Sequence, residues 1–269
     1  MTGQIAPPGE TAEAHVSDTV LCGPIIVLTY EHSGVELLSD VLSASCTVAC
    51  TDGTGLLPLC HLASGTWRSI ENGGSAPSAL AVKSIRSLVS TMAAVVQSRA
   101  GATRWCEIAY AGSAAAGTFR RIFPEATFIC LHRSLRAVFA DGMRAYPWGL
   151  GGSPFWGYAV GHPGNNVATI AEYWVAHTQE LLVFEYRHPE CSLRVRHEDL
   201  IDHPERTKNA IYDFLGLDPS TVSATPMLRS APDKRVEEVE PAVQLAQLPS
   251  DLRAKIEDLH VGLGYPELL

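Results

Sequence analysis

The stretch PIIVLTYEHSGVELLSDVL, residues 24–42, decides how the chain is read. Ile25 to Leu28 make an apolar run, Ser33 and Gly34 lie in a short polar segment, and Leu37, Leu38, Val41 and Leu42 recur at helical spacing. That pattern is a strand over 25–29, a tight turn and a helix over about 34–44. A turn of this kind points the first backbone N–H groups of the helix at whatever sits in it, which suits an anion. Yet the turn carries Glu31 and Glu36 and holds neither Lys nor Arg.

Outward from that unit, short apolar runs alternate with longer helical patterns. The spacing predicts strands near 47–50, over 104–109 and over 126–131, with helices at about 78–98, 113–122 and 134–145. After a breaker-rich stretch at 145–166 it predicts a helix over 167–186, a strand in SLRVRHEDL, and helices over 204–215 and 249–262. Such alternation argues for an α/β fold of three layers, a central parallel sheet flanked by helices. Residues 1–22, small and polar with a Pro pair, read as a flexible tail, and 23–269 as a single domain.

The 269 residues are 46% hydrophobic, enough for a sizeable core, and the net charge of −9 argues against a nucleic-acid groove. No uninterrupted apolar run approaches roughly 18 residues, so the expectation is a cytoplasmic protein without a membrane partner. The seven cysteines show no repeated CxxC and sit mostly in apolar surroundings, so they read as packed thiols. Cys46, Cys50, Cys60 and His61 lack a second ligand pair, and no metal is expected.

Two more stretches matter. IFPEATFICLHRSLRAVFADGM ends a strand at Arg133 before a helix bearing Arg136 and Asp141, and LRVRHEDLIDHPERTKNAIYDFLGLD sets a strand before an acidic turn. With the opening unit, their order resembles the sulfotransferase superfamily, which moves a sulfuryl group from 3′-phosphoadenosine-5′-phosphosulfate, PAPS, on a P-loop-like fold. The resemblance runs from about residue 24 to the end. It implies that the turn His32, Ser33, Gly34, Val35, Glu36 and Leu37 holds the phosphosulfate, and that Arg133 and the position of Asp141 meet the 3′-phosphate; adenosine 3′,5′-bisphosphate would be the product nucleotide. The family turn usually reads P-R-S-G-T-T-L-L. Here the basic position is His32, the two hydroxyl positions are Val35 and Glu36, and Asp141 stands where the helix usually has Ser. RWCEIAY resembles the W-G-E-K-T-P strand, with Glu107 at the acidic position and Ile108 and Ala109 replacing Lys and Thr.

The resemblance implies a tailoring enzyme acting on the hydroxyl, phenol or amine of a small natural product, with Glu107 or His32 as catalytic base. Other readings stay open. Glu107 instead pairs with Arg104 or Arg120, His32 faces solvent, and Arg133 pairs with Asp141. Glu198 and Asp199 anchor the strand that precedes them, and Lys234 and Arg235 either close over the donor or form a solvated cluster. Trp148, Phe155, Trp156 and Tyr158 form a lid over a flat or apolar acceptor, or a satellite hydrophobic cluster. An enzyme that has lost PAPS and performs donor-independent acid/base chemistry is the alternative, whether cyclisation, elimination, hydrolysis or acyl transfer. A silent binding relative is the third. Oligomeric state is not legible.

Overall fold

A computed structural model describes residues 23–71, 77–221 and 247–265. Five strands form one sheet: β1 (Ile25–Leu28), β2 (Val48–Asp52), β3 (Arg104–Ala109), β4 (Thr127–His132) and β5 (Ser192–Arg196). Their order is β2-β3-β1-β4-β5, and every pairing is parallel. Parallel strands buried on both faces read as continuous apolar runs, and all four residues of β1 are buried.

The chain leaves β1 toward one side and returns from β3 and β4 on the other. Helices α1 (Val35–Ser43), α8 (His197–Asp202) and α9 (Pro204–Leu215) cover the face where Ile25, Val27, Cys106, Ile108, Ile129 and Leu131 lie. The opposite face, with Ile26, Leu28, Trp105, Phe128 and Cys130, packs against α2 (Leu56–Ile70), α3 (Ala79–Ala100), α4 (Ser113–Ile122), α5 (Leu135–Ala145), α7 (Asn166–Arg187) and α10 (Ser250–Leu263). A four-residue turn of helix, α6 (Trp156–Ala159), interrupts the glycine-rich loop. The loop after β1 therefore runs to the opposite face from those after its neighbours, which opens a crevice at the carboxyl ends of the central strands.

Helix α2 was not legible in the sequence, because Pro58 and Gly65 interrupt LLPLCHLASGTWRSI. Pro58 falls in the first turn, where its missing N–H has no intrahelical acceptor to lose. The acidic turn expected after the last strand is the short helix α8. Helix α3 is long and apolar enough to cross a bilayer by length and composition. In the fold Ala81, Ile85, Val89, Ala93 and Gln97 make its buried stripe, while Leu88, Met92 and Val95 stay exposed on its outer side. The tail at 1–22, and Lys234 and Arg235, lie outside the described residues.

Candidate functional site

The crevice is built on the turn between β1 and α1. Ser33 N–H donates to the Tyr30 carbonyl (3.2 Å), closing a four-residue turn in which His32 takes φ +64°. A left-handed non-glycine residue costs about 1–2 kcal/mol and is held only where its surroundings dictate it. Gly34 follows at φ +74°, and no side chain caps the helix that starts at Val35. The first N–H groups of α1 have no intrahelical acceptor, and the positive end of the helix dipole lies at the turn.

Gly34 is required by contact as well as by backbone. A Cβ there would lie 2.3 Å from both Cδ2 and Nε2 of His197, whose buried ring rests against the turn. His197 sits at the end of β5, and its pKa is pushed down to about 4, first by burial and then by the Arg133 charge. It is neutral at physiological pH. The sequence reading singled out Glu198 and Asp199 and passed over their neighbour, although the carboxyl end of a parallel strand is where ligand groups collect.

Arg133, buried at the end of β4, is fixed at both backbone and side chain. Its carbonyl accepts from the Tyr30 hydroxyl (3.0 Å) and Trp174 Nε1 (2.8 Å), and its N–H donates to Tyr30 Oη (3.0 Å). Its Nη1 donates to the His32 carbonyl (2.9 Å) and to Asp141 Oδ2 (2.5 Å). Arg144 Nη1 takes Asp141 Oδ1 (2.7 Å), so the carboxylate lies between two guanidinium groups. The Arg133–Asp141 pair is the alternative foreseen for these residues, and it ties β4 and α5 directly to the β1–α1 turn.

Glu107 is not paired with Arg104 or Arg120. Arg104 binds the carbonyls of Gly23 and Leu215, and Arg120 meets Cys191 Sγ and Glu190. Instead Thr51, registered opposite Glu107 in the parallel sheet, donates to Oε2 (2.5 Å). Oε1 accepts from Thr54 N–H (2.9 Å) and its hydroxyl (2.6 Å). Burial raises the Glu107 pKa while these hydrogen bonds oppose the rise. At 1% exposure and with both oxygens engaged, Glu107 anchors the turn after β2 and has no open face for an acceptor.

The four loop aromatics do not form one lid. The turn of α6 sends Phe155 inward and leaves Trp156 outside, and Trp148 is 98% exposed. Phe155 is fully buried against Gly142, where a Cβ would come within 2.8 Å of its ring, and it stacks on His32 at 5.3 Å and 15°. Tyr158 packs edge-on against Tyr173 (5.6 Å) and near His177, its hydroxyl 3.5 Å from Nε2. Tyr173 Oη in turn accepts from Glu31 N–H (2.9 Å). His32, Phe155, Tyr173 and His177 therefore form one wall beside the turn, with both histidines held neutral by burial. Tyr173 and His177 were invisible as site residues in the sequence because helical periodicity reads them as core.

Glu31 in the turn lies close enough to Glu36, in the first turn of α1, and to Asp52 for their charges to interact. Burial and the latter two charges raise the Glu31 pKa, and burial, Asp52 and Glu31 raise that of Tyr110. Among the described residues no group of three or more His, Cys, Asp or Glu side chains is placed to hold a metal ion.

PAPS can be tested against this geometry. Its 5′ anion suits the start of α1, where the Ser33 hydroxyl accepts from Thr29 Oγ1 (2.6 Å) and keeps its own proton to donate, although the side chains at 35 and 36 offer no donor. Its 3′-phosphate does not fit, because the Asp141 carboxylate lies against Nη1 of the Arg133 guanidinium and an ionised carboxylate repels a phosphate placed there. Two like unit charges 4 Å apart repel by about 4 kcal/mol at an effective dielectric near 20.

A model described as the sulfotransferase family matches residues 24–221. Among solved structures, a sulfotransferase domain from the curacin biosynthetic pathway superposes with TM-score 0.62 at 17% identity, covering 93% of this chain and 100% of its own. A sulfotransferase domain from the Synechococcus PCC 7002 olefin synthase gives TM-score 0.54 at 17% identity, covering 91% and 96%. A sulfotransferase from Alicyclobacillus acidocaldarius gives 0.50 at 10% identity, covering 91% and 96%. Nothing among curated proteins matches the chain.

Proposed function

We propose that this chain, which belongs to the sulfotransferase family, is a tailoring enzyme that transfers a sulfuryl group to a hydroxyl, phenol or amine of a small molecule. The observation that carries the reading is the uncapped start of α1 lying next to a neutral, left-handed His32. Backbone N–H groups at 34–37 receive the anionic end of the donor, where charge builds as the sulfuryl group leaves. Neutral His32 receives the proton that the acceptor gives up. Half-buried Tyr158 and His177 present the wall to the acceptor's apolar part, with the buried rings of Phe155 and Tyr173 packed behind them. Likeness to a domain of the curacin pathway supports placing the reaction among small-molecule tailoring steps. The 3′-phosphate of PAPS has no part in this account.

The test is formation of a sulfated product from a panel of phenols, alcohols and amines with adenosine phosphosulfates as donors. Product that disappears in a folded His32→Ala variant supports the reading, and absence of product with every donor and acceptor contradicts it. A second reading, donor-independent acid/base chemistry, is favoured by one observation, the raised pKa of Glu31 beside Asp52 and Glu36. It predicts turnover of a small-molecule substrate without any nucleotide.

A further inference from the structure

The carboxylate that fills the Arg133 site does not close it to every ligand. Asp141 Oδ2 is taken by Arg133 and Oδ1 by Arg144, yet the side chain keeps 19% of its surface exposed. Each carboxylate oxygen accepts two hydrogen bonds, so one lone pair on each remains for a partner. An ionised carboxylate accepts and never donates. It receives hydroxyl or amine hydrogens and repels phosphate oxygens.

Its position relative to the turn is fixed. Arg133 Nη1 bridges the Asp141 carboxylate and the His32 carbonyl, so Asp141 stands one guanidinium away from the residues that open α1. A ligand with its anion on the α1 amides therefore extends past a hydrogen-bond acceptor where a second phosphate would need a cation. The same choice operates in dinucleotide sites, where an acidic residue takes ribose hydroxyls and an arginine takes a ribose phosphate.

We propose that the donor site takes a nucleoside 5′-phosphosulfate whose ribose hydroxyls are free, and that Asp141 is the residue that selects it. This rests on the transferase reading given above. Arg133 is then a positioning residue that holds Asp141 and the turn together, and the donor's 3′-hydroxyl takes the lone pair that a 3′-phosphate cannot.

The experiment is calorimetric titration of the full chain with adenosine 5′-monophosphate and with adenosine 3′,5′-bisphosphate, in the wild type, Asp141→Asn and Asp141→Ser, at moderate salt. The wild type binds the monophosphate more tightly than the bisphosphate, on the order of tenfold or more. Asp141→Ser reverses the order, and Asp141→Asn, which keeps the shape without the charge, narrows the gap should the serine variant fold poorly. Bisphosphate binding as tightly as monophosphate in the wild type overturns the role of Asp141 while leaving the transferase reading in place. Failure of both nucleotides to bind overturns the transferase reading and the selection with it.

Discussion

Replacing Gly34 by alanine tests the turn at its tightest point. Two separate penalties apply. Left-handed backbone at φ +74° and ψ 38° costs an alanine about 1–2 kcal/mol relative to glycine. The new Cβ would also sit 2.3 Å from two atoms of the His197 ring and 3.1 Å from a third, and a buried ring cannot swing clear. Overpacking of this kind costs about 1–3 kcal/mol, so Gly34→Ala should destabilise the chain by about 2–5 kcal/mol. Urea unfolding at unchanged slope reads the loss. The clash is separable by His197→Ala, which vacates the space. In that background Gly34→Ala should cost only the backbone share, with a coupling of about 1–3 kcal/mol between the two sites. A Gly34→Ala variant as stable as the wild type, or an equal penalty with and without the imidazole, would refute the packing described for this turn.

Glu107→Ala leaves Thr54 N–H and two hydroxyls without their acceptor and should cost about 2–4 kcal/mol, whereas Glu107→Gln should be tolerated, because Thr51 can turn its proton to the Cys106 carbonyl. The sign of the pH effect follows from the raised pKa of Glu107: folding favours its protonated form, so its contribution is present below the ordinary glutamate value and is lost as pH rises through the raised one. Chemical denaturation across that window should show a flatter profile for the Gln variant, and an unchanged profile contradicts the assignment. Because burial lowers the His32 pKa, the acid limb of kcat/KM should lie below the ordinary imidazole range; a limb at or above it removes His32 as proton acceptor. Tyr30→Phe strips the acceptor from the Arg133 N–H and should cost about 1–3 kcal/mol by thermal or urea unfolding, a loss that a neutral outcome would deny.

Much of the sheet was legible because its strands are short apolar runs bounded by breakers, as in PIIVLTY and ATFICLH. The turn at 30–34 was legible for the same reason, since polar residues between a strand run and a helical period leave few alternatives. Contacts that cross the sheet were not. Thr51 meets Glu107 because β2 lies beside β3, 56 residues apart in sequence, and nothing local marks the pair. The stack of Phe155 on His32 depends on a bare Gly142 on α5, and the placing of His197 against Gly34 on the packing of α8 against α1. The spacing from Arg133 to Asp141 did show in sequence, because two residues eight apart across a strand end and a helix turn face each other wherever the helix packs back on its strand. The loop aromatics could not be told apart in sequence, since composition cannot tell which side of a short helical turn each will take.

The most direct test of the central claim is a backbone amide NMR titration of the full chain with adenosine 5′-monophosphate. The account predicts that the largest shifts fall on Gly34, Val35, Glu36 and Leu37, whose N–H groups open the first turn of α1. Shifts confined to other parts of the chain, or none at saturating nucleotide, would contradict an anion seat at the end of β1.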